Sequence, residues 1–266
     1  MKGVPFTKDD LKWILVIKPD DWTDFTSAFE WYIENENCHP VKFEENGQLL
    51  SVGSVIMNED SAWLGHIITH KEHRKKGLGT KMTMALVDIA RNAGKSSVFL
   101  IATDMGLPVY LKCGFVIDSK YHGYNRPEEF QPFEISKNIR TFEQKDLDGL
   151  LALDRAVSGE GRSHLLNDNL EGAMVYDKDT HHEGYFLPKL GDGMIIASSD
   201  QAGLGLMQYR LNEVKHAITP VANTTAIDFL QDNKFVYTKH YTRMYLGEKR
   251  NWQPQNLFNR IGGHLG

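Results

Sequence analysis

The chain has 266 residues, a length that suits two average domains better than one. Hydrophobic residues make up 41% and charged residues 24%, which allows a substantial core and excludes a disordered, collagen-like or disulfide-framework protein. The net charge of −5 is spread evenly, with neither the one-sided basic footprint of a nucleic-acid binder nor a polybasic membrane anchor. Along the chain, Trp13–Ile17 is an apolar run of strand length closed by Pro19-Asp20. Asp20–Tyr32 places Trp22, Phe25, Phe29 and Tyr32 at helical spacing. Asn46-Gly47 is a strong hairpin signal between Val41–Phe43 and Leu49–Met57, and a turn at Asn58-Glu59-Asp60 leads into Ala62–Thr69. Three successive antiparallel strands are therefore expected. A helix over Gly79–Ala93 follows, with Met82, Ala85, Leu86, Ile89 and Ala93 as its buried stripe and Gly94 as its C-terminal cap. Ser97–Ala102 reads as a buried strand and Leu107–Lys112 as a short helix, with another strand after Gly114-Phe115. Gln131-Pro132 to Asn138 has the residues of a junction, dividing the chain into 1–135 and 136–266. Beyond it, Ile139–Phe142 and Asp146–Ala156 restart a strand-then-helix pattern.

Cys38 and Cys113 stand far apart and in no metal-ligand spacing, so two free thiols and no metal are expected, as suits a reducing compartment. The first residues lack the apolar segment of a signal peptide, and no apolar run approaches the ~20 residues of a membrane helix. These features predict a cytoplasmic protein.

The even net charge hides one local cluster of cations: Lys71, His73, Arg74, Lys75, Lys76 and Lys81. Within it, Arg74-Lys75-Lys76-Gly77-Leu78-Gly79-Thr80 connects a strand to a helix. Backbone N–H groups at a helix N-terminus have no intrahelical acceptor, and the helix dipole adds positive potential there. Glycines at 77 and 79 let successive N–H groups converge on a phosphate. By itself this pattern is also that of a solvated basic turn. It is not a P-loop, because Thr80-Lys81 reverses the order of those residues and the leading glycine is missing.

The antiparallel strands, Arg74-x-x-Gly77-x-Gly79 opening a helix, a further strand and then Tyr110-x-x-x-Gly114-Phe115 together resemble the GNAT acetyltransferase superfamily over roughly residues 11–130. The resemblance implies an α/β fold with a mixed sheet and acetyl-CoA as acyl donor. It assigns Arg74, Lys75, Lys76, Gly77, Leu78, Gly79 and Thr80 to the donor's diphosphate. It also implies that the strand ending Ile67-Ile68-Thr69 splays from the strand after the helix, with the pantetheine in the gap. Thr103 and Gly106 stand at donor-binding positions of the family's second motif.

That second motif recurs one hundred and twenty residues later, Thr103, Gly106, Tyr110, Gly114 and Phe115 becoming Asn223, Ala226, Leu230, Lys234 and Phe235. The same offset from Arg74–Gly79 lands on Met194–Ser199, which has neither glycine nor basic residue. Two tandem GNAT-like folds are expected, the second degenerate. Asp154-Arg155, Gly159 to Arg162-Ser163 and Arg243-Met244-Tyr245-x-Gly247 resemble the acetyltransferase-like domain that follows a GNAT domain in many bacterial proteins.

By this resemblance the chain transfers an acetyl group directly to a primary amine on a small molecule or a peptide or protein. Tyr110, a phenol protonated at neutral pH, is the expected general acid for the leaving thiolate. A backbone N–H near Ile68 is the expected donor to the carbonyl oxygen. The base stays open. The family's glutamate eleven residues before the arginine corresponds to Trp63, while His66, Glu59, Asp60, a water relay and the second domain all remain available. A non-catalytic acyl-CoA-binding module and a larger acyl or aminoacyl donor are the competing readings. His181-His182-Glu183 reads as a solvated turn, and Cys113 as a small core residue.

Overall fold

The computed structural model describes residues 3–20, 22–178 and 181–266. The chain forms two compact units. The first runs to Ile117 and takes in Met244–Lys249 and Gly263–Gly266; the second comprises Asp118–Arg243 and Arg250–Gly262. This division differs from the expected one at 135/136, and burial supplies the reason. Met244 is fully buried among Leu86, Val98 and Phe115, so the apolar contacts tie this late segment to the early core.

The first unit opens with β1 (Val4–Pro5), a short helical turn over Lys8–Trp13 and α1 (Ile14–Ile17). The strand expected at Trp13–Ile17 is thus a helix. Thr7 and Asp10 form a capping box that starts the turn, the Thr7 N–H donating to Asp10 Oδ2 at 2.8 Å. Within the apolar run, Ile14 and Ile17 are buried while Leu15 and Val16 are exposed, a spacing of three that mere apolarity conceals. Next comes α2 (Thr26–Glu34), with Phe29 and Tyr32 buried as predicted. It begins later than Asp20, where Asp24 Oδ1 accepts the Thr26 N–H at 2.9 Å.

Three strands follow: β2 (Cys38–Glu45), β3 (Gln48–Met57) and β4 (Ser61–Thr69), each antiparallel to the next. Asn46 and Gly47 both have φ in the left-handed region, as the tight hairpin requires. Then come α3 (Leu78–Asn92), β5 (Ser97–Ala102), α4 (Leu107–Lys112) and β6 (Val116–Asn125). The buried face of α3 carries Met82 and Leu86 with Leu78, Thr83, Val87 and Ala90. Ala85 and Ile89 are half-buried and Ala93 is exposed, so the expected stripe is rotated by part of a turn.

In the second half of the chain, β7 (Ile139–Thr141), α5 (Leu147–Ser158), α6 (Ser163–Asn167), β8 (Met174–Lys178), β9 (His181–Leu187) and β10 (Met194–Ala197) lead to α7 (Asp200–Glu213). Then follow β11 (His216–Pro220), α8 (Thr224–Asp232), β12 (Val236–Gly247) and β13 (Leu257–Asn259). Up to β12 this is the element order of the first half repeated, strand, two helices, three strands, helix, strand, helix, strand. β7 to β10 form an antiparallel sheet with β13 on its edge. The repeat extends to backbone detail. Phe115 N–H donates to Tyr110 O and Phe235 N–H to Leu230 O, while Gly114 and Lys234 both take left-handed φ.

His182, expected in a solvated turn, lies in β9 within an ion-pair network. Its Nδ1 is 2.6 Å from Asp177, and Arg140 donates to both Asp146 oxygens at 2.7 and 2.9 Å. Those Arg140 hydrogen bonds hold the buried Asp146 carboxyl at about 2, below its usual 3.8. A lowered folded value stabilises above the unfolded one, and the contribution is lost as pH falls through about 2. An acid titration of stability should therefore show this component below about pH 4 in the parent and lack it in Asp146→Asn. Among the described residues, no helix is long and apolar enough to cross a membrane.

Candidate acyl-CoA site

Everything that singles out Arg74–Thr80 in the sequence is visible in its backbone. The helix α3 starts at Leu78, and its first internal bond at the loop is Lys81 N–H to Gly77 O. From Lys75 through Thr80 no backbone N–H finds an acceptor among the described residues. These donors cluster at the positive end of a four-turn helix, with the exposed Lys75 and Lys76 side chains around them. Arg74 is turned back, its Nε donating to Thr69 O at 3.2 Å, which fixes the loop to the end of β4.

The two glycines serve different ends. Gly77 has φ +78, a conformation that costs an L-residue roughly 1 kcal/mol, while a Cβ there would meet nothing. Gly79 has ordinary dihedrals, and a Cβ there would make only van der Waals contact with Val109 and Thr69. Gly77→Ala should therefore lower stability by about 1 kcal/mol, whereas Gly79→Ala should leave the melting temperature unchanged; calorimetry of both variants checks the contrast. Lys75 also takes left-handed φ without being glycine, a strain typical of backbone held for a ligand.

Next to the loop the sheet opens. β4 and β5 run parallel and pair from Ser61–Leu64 to Ser97–Leu100; among the described residues, Gly65–Thr69 and Ile101–Ala102 have no partner across the gap. The cause is a bulge. Val52 pairs with Ile68 but Ser54 with Gly65, so His66 and Ile67 together oppose Gly53, and His66 has φ +49. Ile67 turns to the α3 side with Met82 and Leu86, and the Ile68 side chain is buried. What these residues offer the gap is therefore main chain. The ladder bond from His70 N–H to Leu50 O sets the alternation, which directs the Ile68 N–H to β3 and the Thr69 N–H away from it.

Tyr110 is half-buried on α4, edge-on to Phe115 at 6.1 Å. Burial pushes its phenol well above the usual value, and its hydroxyl makes no hydrogen bond among the described residues. Gly106 is bare because a Cβ would stand 2.8 Å from the Tyr110 ring. Thr103 is exposed and starts the helix, its O and Oγ1 accepting the Gly106 N–H at 3.0 and 3.3 Å. Both residues thus hold Tyr110 in place. Cys113 is a half-buried free thiol whose pKa burial raises, the opposite of an activated nucleophile. Trp63, at the position of the expected carboxylate, is fully buried and stacked on Phe99.

Among its described residues the second unit has no counterpart to this site, for two reasons that its sequence did not disclose. At the head of α7, Ser199 Oγ accepts the Ala202 N–H and donates to Glu183 at 2.6 Å, so the helix end is capped and faced by a carboxylate. The edge of β10 that would open toward β11 is filled by β13, whose next residue Arg260 donates its N–H to Ile218 O. Gly203 of α7 exists for that strand, since a Cβ would overlap the Phe258 ring.

Residues 9–115 match the sequence profile of the acetyltransferase (GNAT) family. The chain is 30% identical over 169 residues to the uncharacterized N-acetyltransferase YitH of Bacillus subtilis (strain 168), a match covering 59% of either chain and so less than two thirds of that relative's length. Its fold is similar to that of a Pyrococcus horikoshii protein provisionally designated an acetyltransferase, with TM-score 0.81, 20% identity, and 99% of this chain and 95% of that one covered. It is also similar to a tandem GNAT protein from the clavulanic acid biosynthesis pathway, with TM-score 0.64, 11% identity, and 94% and 99% covered. Loop, opened sheet and comparisons agree: residues 9–115 match the acetyltransferase (GNAT) family's profile, and the chain is similar in fold to a tandem GNAT protein.

Proposed function

We propose that the chain is an N-acetyltransferase that moves the acetyl group of acetyl-CoA directly to a primary amine. The observation that carries this reading is the run of open N–H groups from Lys75 through Thr80 beside the gap between β4 and β5. The run suits a diphosphate, and the gap suits an extended chain bonded to strand edges, with Ile67–Thr69 on one side. The Thr69 N–H, rather than that of Ile68, is the main-chain donor that alternation turns toward the thioester. Tyr110 O–H gives its proton to the departing sulfur, with Thr103 and Gly106 acting through Tyr110. The experiment is thiol release from acetyl-CoA with spermidine, tyramine and a tripeptide with a free N-terminus. Amine-dependent thiol release is the expected result, and it should fall in Gly79→Val through weaker acetyl-CoA binding. The buried Trp63 favours a second reading, an acyl-CoA-binding module without turnover. Tight acetyl-CoA binding with no thiol release on any of these amines would select it.

A further inference from the structure

The bulge of β4 carries a second cluster, on the face away from α3. Here Gly263–Gly266 returns to the first unit and lies across β4. A Cβ on Gly65 would stand 2.5 Å from His264 Cβ, and one on Gly266 would meet the Trp63 ring at the same distance. Leu265 is buried. The His264 ring lies 5.0 Å from that of His66 and 5.9 Å from that of Tyr32. His66 is enclosed by Phe25, Phe29 and Trp22, and its Nδ1 is 2.7 Å from the Tyr32 hydroxyl.

Resting on the acetyltransferase reading above, we propose that His264, delivered to the bulge by Gly263–Gly266, is the general base that deprotonates the acceptor amine. Helix α3 covers one face of β4 at the gap, which leaves the other face for the amine; there His264 is half-exposed beside the enclosed His66. The two imidazoles are close enough that one charge opposes the other. Burial first, and then His264, lower His66 to about 3, so His66 stays neutral near neutral pH beside the half-exposed His264. Ring contacts place His66 of β4 and Tyr32 of α2 against His264. In the reaction, R–NH3+ loses a proton to the neutral His264 imidazole, and the freed lone pair forms the C–N bond. The C–S bond breaks, the thiolate takes the Tyr110 proton, and the second amine proton restores Tyr110. The products are the amide, the free thiol and one proton on His264, released to solvent. This arrangement supplies the function missing at Trp63.

The test is His264→Gln in the full chain, assayed with whichever of spermidine, tyramine or the tripeptide the parent acetylates. Expected are a fall of about 10²-fold or more in kcat/KM for the amine at neutral pH, loss of the acid limb that a titrating histidine gives the parent profile, and partial recovery at high pH, where the amine is already neutral. The acetyl-CoA Kd should stay within about twofold. An unchanged rate and acid limb would overturn the assignment, as would an equal loss at every pH with weakened acetyl-CoA binding, which marks a structural role. A parent that acetylates none of the three amines overturns the function proposed above and this assignment with it; an active parent with an equally active His264→Gln overturns this assignment alone.

Discussion

Tyr110→Phe should lower kcat by about 10²- to 10⁴-fold, the range typical of a lost general acid or base, while acetyl-CoA affinity stays within about threefold. The hydroxyl has no hydrogen-bond partner among the described residues, so removing it breaks no bond of the fold, and the edge-on contact with Phe115 survives. The change should therefore be silent in a melting curve and visible in turnover. Burial keeps the phenol protonated beyond neutral pH, so Tyr110 adds no basic limb to the parent profile in the range where the amine is assayed. Steady-state kinetics beside isothermal titration with acetyl-CoA checks the split between kcat and binding. An unchanged kcat would leave Tyr110 as the aromatic that Gly106 accommodates and nothing more.

The largest expected loss of stability lies in the second unit. Asp154 is buried and takes two hydrogen bonds from Arg162 Nη2 and Nε, at 2.8 and 2.9 Å, and one from the Tyr185 hydroxyl at 2.7 Å. Arg162 is itself only 5% exposed. Asp154→Ala would leave the buried guanidinium without its hydrogen-bonded counter-charge, with only Glu160 nearby among the described residues, and a phenol without its acceptor, at a cost of about 3–5 kcal/mol. Asp154→Asn, which keeps an acceptor for Tyr185 and loses the charge, should fall between that value and the parent. Replacing both members of the pair by apolar residues, Asp154→Leu with Arg162→Met, should cost less than the single alanine, because the guanidinium is then not stranded, while Glu160 loses Arg162 and Tyr185 its acceptor. Urea unfolding followed by circular dichroism measures all three. A loss under about 1 kcal/mol for Asp154→Ala would mean that water reaches Arg162.

Much of this protein was determined by local sequence. The hairpin at Asn46-Gly47, the amphipathic α3, the buried β5 and the strand-to-helix turn at Arg74–Thr80 are each encoded within a dozen residues by dihedral preference and periodicity. The recurrence of Tyr110–Phe115 at Leu230–Phe235 was legible for the same reason, since a helix end repeats its own chemistry. The apolar run at Trp13–Ile17 was misread because a short buried segment has no period of its own until its neighbours choose a face.

What tertiary structure alone decided is whatever joins distant segments. Met244 belongs to the first core although it lies in β12, the last strand of the second repeat, β13 closes the second sheet from beyond its own final strand, and Gly263–Gly266 brings His264 to β4. No propensity within those segments specifies their partners. The opening of β4 from β5 has the same character. It follows from one extra residue opposite Gly53, and a bulge is a property of two paired strands, absent from either strand alone.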